Sequence, residues 1–94
     1  MGDIITLEVD GIPVEWRNDA VSSIDFMEAL ADANDGDVLA VVKLMRMAFG
    51  EEQYANLKLS LAGDDGICQA DSIVSFFFKA MDAAAAERGN EAKN

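Results

Sequence analysis

The stretch IITLEVDGIPVEWR, residues 4 to 17, constrains this fold more than any other part of the chain. Ile5, Leu7 and Val9 alternate with Thr6 and Glu8, and Ile12, Val14 and Trp16 alternate with Pro13 and Glu15. A period of two marks strands buried on one face. Asp10-Gly11 between them suits the two positive φ angles of a type I′ turn. Such a turn pairs Val9 with Ile12, Leu7 with Val14 and Ile5 with Trp16, which puts all six apolar side chains on one face. The other face pairs Thr6 with Glu15 and Glu8 with Pro13. Pro13 then falls at a non-hydrogen-bonded pair, its nitrogen turned away from the partner strand. This predicts a free outer edge on the second strand. A lone hairpin is marginal in water, so its apolar face must rest on the remainder of the chain.

That remainder reads as helices. Ser22-Ser23-Ile24-Asp25 has the spacing of an N-cap with an acid three residues on. It predicts a helix over 23–33, with Ile24, Met27, Leu30 and Ala31 inward, ended by Asn34-Asp35-Gly36. Asp37 opens a second helix over 37–49, stopped by Gly50. Its stripe is Val38, Val41, Val42, Met45 and Phe49, with Leu39, Leu44 and Met47 adding apolar area elsewhere. Glu51-Glu52 begins a third over 51–61, where acids suit the positive helix start, with Tyr54, Leu57 and Leu61 as its stripe. A fourth runs over 71–88 with Gly89 as its C′ residue, leaving 90–94 as a flexible polar tail. With 94 residues, 51% of them apolar, one compact domain over 1–89 is expected. The fold class is α+β and mostly helical: a hairpin over 3–17 packed on a bundle of about four helices.

Charge narrows the function. Eighteen acids against seven bases give a net charge of −11, which repels nucleic acid phosphates, so no nucleic acid partner is expected. The most apolar run, Val38 to Phe49, is short and carries Lys43 and Arg46, so no membrane span is expected. The start lacks the basic and apolar pattern of a signal peptide. Cys68 is the only cysteine, which rules out an intrachain disulfide and suits a reducing compartment.

Chemistry is sparse. Without histidine, the commonest general base and metal ligand is missing. Cys68 has no neighbouring base to activate it. DANDGD, residues 32 to 37, fails the calcium-loop pattern: starting at Asp32, position 6 is Asp37 rather than glycine and position 12 is Lys43. No catalytic residue, cofactor or metal is expected, and the chain reads as a non-enzyme.

What stands out is apolar. Phe76, Phe77 and Phe78 sweep about 200° of a helix, more than one packed face usually covers. Met27, Met45, Met47 and Met81 are flexible side chains that either fill core gaps or serve adaptable binding surfaces. Phe76, Phe77, Phe78, Met81, Met45 and Met47 are therefore the candidate protein-interface residues.

The order of elements resembles the short tail assembly chaperones of long-tailed, siphovirus-type bacteriophages and prophages. VDGIPVEW matches the family's V-D-G-x-x-x-x-W/F phrase. SIDFMEALADANDGD is the nearest match to D-x-x-x-x-L-x-x-L. AFGEEQYANLKL carries G-E/D-E-Q-Y/W, the most specific phrase, and ADSIVSFFFKAM precedes a polar C-terminus. The resemblance covers most of the chain. It implies a non-catalytic protein that keeps the tape measure protein soluble in the host cytoplasm while tail tube subunits polymerise around it, and that is absent from the mature virion. It also implies a longer, frameshifted form that reaches the tail tube protein. A holdase needs apolar contacts inside an acidic shell, and the same contacts would suit a neighbouring copy, so a homo-oligomer is expected. Two other readings stay open: an acidic inhibitor or DNA mimic, and a small obligate-dimer adaptor.

Overall fold

The computed structural model describes the backbone of residues 4–93 and the side chains of residues 4–87. Strands β1 (Ile4–Val9) and β2 (Ile12–Arg17) form an antiparallel hairpin in the register the alternation predicts, from Val9 opposite Ile12 to Ile5 opposite Trp16. Asp10 has φ 54° and Gly11 φ 80°, the paired positive values a type I′ turn requires. Five of the six inward side chains, Ile5, Leu7, Val9, Val14 and Trp16, are buried. Asp3, the expected first residue of the hairpin, lies outside the described residues.

Five helices follow: α1 (Asn18–Val21), α2 (Ile24–Asn34), α3 (Val38–Phe49), α4 (Glu51–Leu61) and α5 (Ala70–Lys93). The α+β architecture with a hairpin on about four main helices is thus present. The single turn α1 is an addition. Its closing hydrogen bonds run from Ser22 N–H to Asn18 C=O and from Ser23 N–H to Ala20 C=O. Because α1 takes up Ser22, the N-cap of α2 is Ser23, whose hydroxyl accepts the Phe26 N–H at 3.2 Å. Asp37 caps α3 by accepting the Leu39 N–H at 3.0 Å.

Two helix faces differ from the periodicity reading. On α2 the buried residues are Phe26 and Ala29, with Leu30 and Ala33 partly buried, while Ile24 and Met27 are exposed. On α3 Leu44 is fully buried and Val38 is exposed. Both helices carry more apolar positions than one face can hold, and the position of Trp16 selects which set turns inward. On α4 Tyr54 and Leu57 are buried and Leu61 is partly so, as expected.

The fourth predicted helix is also corrected. It starts at Ala70 and runs through Gly89 to Lys93, so residues 90–93 continue the helix rather than form a tail; Asn94 lies outside the described residues. A glycine in a helix interior costs only about 1 kcal/mol relative to alanine, and Glu91-Ala92-Lys93 beyond it are good helix formers.

The core is centred on Trp16. Its ring meets Phe49 edge-on at 5.5 Å, Phe26 edge-on at 6.5 Å and Phe77 at 6.2 Å. Edge-on aromatic pairs add about 0.5–1.5 kcal/mol beyond their buried area. Gly50, at φ 83°, is the whole connection between α3 and α4. A side chain there would adopt an unfavourable backbone conformation, 3.6 Å from the Arg17 guanidinium.

The outer edge of β2 is not free. The Gln53 side chain lies along it: Glu15 N–H donates to Oε1 at 2.8 Å, and Nε2 donates to Glu15 C=O at 2.8 Å and to Phe49 C=O at 3.0 Å. The amide reproduces the donor–acceptor pair of a neighbouring strand. One position along the same edge, Pro13 has no N–H to offer. Proline and amide together close this edge.

Candidate functional site

The six candidate interface residues divide in two. Phe76, Phe77 and Met45 are at most 1% exposed and belong to the core. No partner can reach them without opening the fold, which corrects their assignment to an interface. Phe78, Met81 and Met47 are partly buried and pack against that core. Phe76 faces Phe49 at 6.0 Å, Phe77 faces Trp16 and Phe26, and Phe78 stacks edge-on against Phe77 at 5.4 Å. Three consecutive rings are accommodated because α5 packs against β1, α3 and α4 together, so more than one stripe of its circumference is covered.

The exposed apolar surface lies elsewhere. Leu39 is 78% exposed, Ile24 67% and Met27 53%. Ile24, Met27 and Ala31 recur at helical spacing on one flank of α2, and all three are exposed. These are the residues the periodicity assigned to the core; the signal that marks them is that α2 has two alternative apolar faces and can bury only one. Val38 and Leu39 add apolar area at the start of α3, the helix α2 packs against.

The other flank of α2 is acidic. Asp25, Glu28 and Asp32, at the same helical spacing, line a groove between α2 and α3 with Asp37, Leu39 and Lys43. The acids are thus less evenly spread in space than along the chain. Among the described residues no group of three or more acidic or cysteine side chains is arranged to hold a metal. No helix among them is long and apolar enough to cross a membrane. Cys68 is partly buried in the loop before α5, and Asp65 accepts the Ile67 N–H at 2.9 Å in that loop.

The phrase GEEQY, on which the resemblance leans most, has a structural role at every well-defined position. Gly50 makes the turn, and Glu51 and Glu52 sit at the start of α4. Gln53 closes the β2 edge. Tyr54 is buried, with Arg46 5.5 Å and Lys58 5.0 Å from its ring centre. The phrase therefore specifies how the hairpin is fastened to the helices. No protein-family model, curated protein or solved structure matches this chain.

Proposed function

We propose that this protein is a non-catalytic tail assembly chaperone that binds the apolar, helical tape measure protein and keeps it soluble during tail tube assembly, in the host cytoplasm and without entering the virion. The observation that carries the reading is the exposed flank of α2, Ile24 with Met27, on a chain of net charge −11. Large apolar side chains in a row are costly to leave in water and offer a surface for an apolar helix. The surrounding acids keep the resulting complex soluble. The resemblance of the hairpin and GEEQY phrases supports the same reading, as does the placement of Phe78, Met81 and Met47 near the surface. Tail tube contacts through a longer form, and self-association through the same flank, belong to this proposal.

The test is co-expression with the tape measure protein of the same genome, followed by size exclusion with light scattering. Co-elution of the two, lost in Ile24→Ser/Met27→Ser but kept in Ser75→Ala, supports the role. A tape measure protein that stays insoluble refutes it. The acidic groove beside α2 favours a second reading, an inhibitor of a nucleic-acid enzyme. That reading predicts salt-sensitive binding to a basic protein, abolished by Glu28→Lys and Asp32→Lys. A fixed dimer that ignores the tape measure protein would instead point to an adaptor.

A further inference from the structure

The two edges of the hairpin are unlike. Thr6 and Glu8 sit opposite Glu15 and Pro13, in the non-hydrogen-bonded pairs, so their N–H and C=O groups point away from β2. On the β2 edge the matching groups are either missing, at Pro13, or bound by the Gln53 amide, at Glu15. On the β1 edge no hydrogen bond within the described residues reaches the outward groups of Thr6 or Glu8. Both residues are exposed, so water meets these groups in the free protein. An open strand edge is a template for another strand.

We infer that the β1 edge is a docking site for an extended, basic segment of a partner polypeptide, which adds to the hairpin as a third strand. Charge selects the occupant. Glu8 stands on the exposed face of β1 with no ion pair among the described residues, and the chain carries −11 overall, whereas Asp10 at the strand's end is already paired with Lys79. A second copy would bring an equal negative charge against the same edge. A basic side chain directly across from Glu8 is favourable, and apolar side chains at the alternate positions continue the face formed by Ile5, Leu7 and Val9. The occupant therefore alternates apolar and basic residues and lacks proline, since its backbone must donate as well as accept. This surface is separate from the α2 flank and does not rest on the chaperone reading.

The experiment follows amide hydrogen exchange at Thr6 and Glu8 in the full chain, free and with the acetylated peptide Lys-Val-Lys-Val-Lys-Val, against Glu-Val-Glu-Val-Glu-Val as control. Both amides exchange fast in the free protein, and the basic peptide slows them at least about tenfold while the acidic one does not. Thr6→Pro removes an outward N–H without deleting a bond of the hairpin, just as Pro13 does across the ladder, and abolishes protection at Glu8. Unchanged Trp16 fluorescence establishes that this variant is folded. Glu8→Lys is the second variant and reverses the peptide preference. Slow exchange of Thr6 and Glu8 in the free monomer overturns the proposal, because the edge is then covered by its own chain. Slow exchange that appears only as protein concentration rises overturns it in favour of a second copy. Equal protection by both peptides, or none by either, also refutes it.

Discussion

Replacing Gln53 with alanine tests whether the side chain that closes the β2 edge is structural or incidental. The substitution removes three hydrogen bonds, two to Glu15 and one to Phe49 C=O. A hydrogen bond contributes about 0.5–1.5 kcal/mol net, and those replaced by water fall at the low end. The two bonds to Glu15 are solvent-exposed and the third is partly buried, so they are worth about 0.5, 0.5 and 1 kcal/mol, a total near 2 kcal/mol. For a domain of this size that lowers Tm by roughly 8–16 °C. Urea unfolding followed by the fluorescence of Trp16, the single tryptophan and buried, measures the change. Asn56→Ala on the same helix controls for the helix propensity of alanine and should stay within about 0.5 kcal/mol of the parent. A second readout is local: the Glu15 amide loses its acceptor and exchanges faster. If Gln53→Ala matches the Asn56→Ala control and Glu15 exchange is unchanged, the amide does not hold the edge.

Phe77→Ala, at a position with no exposure, is expected to cost about 3–5 kcal/mol by chemical denaturation, whereas Phe78→Ala costs less because its ring is only partly buried. Equal losses would contradict the placement of Phe77 at the centre. Ser23→Ala removes the hydroxyl that caps α2 and is expected to cost about 1 kcal/mol. Ser22→Ala is expected to cost less, and the reverse order would restore the cap to Ser22. Lys79 donates to both carboxylate oxygens of Asp10 at 3.1 Å, but both side chains are about half exposed. Lys79→Ala should therefore change stability by no more than about 1 kcal/mol, and the difference should shrink as salt is added in a denaturation series.

The hairpin was legible because its information is local. A period of two and one Asp-Gly turn fix every pair from Ile5–Trp16 to Val9–Ile12, and a shift by one residue would turn Trp16 to solvent. The boundaries of α3 and α4 were equally local, set by Asp37, Gly50 and the paired glutamates. The inward face of α2 was not local. Ile24-Met27-Ala31 and Phe26-Ala29-Ala33 are both acceptable stripes, and only the aromatic partners outside the helix, Trp16 in the hairpin and Phe77 some 51 residues on, choose the second. The same ambiguity hid the candidate surface, since the residues it exposes are those the rejected stripe would have buried. Gln53 gave no signal because its partner Glu15 is 38 residues away and the contact is side chain to backbone. The phenylalanine run was visible as an anomaly, but its resolution needed the number of elements around α5.

The aromatic centre also has a consequence in time. Trp16 is synthesised before the rings it meets, and Phe26 and Phe49 follow it well ahead of α5. Phe77 is in α5. Until α5 has left the ribosome, β1 lacks the helix that makes its largest helical contact. The hairpin's apolar face is thus completed only once α5 is available to pack against it. A nascent chain stalled after α4 exposes a strand pair with one apolar face, the form most open to misassociation.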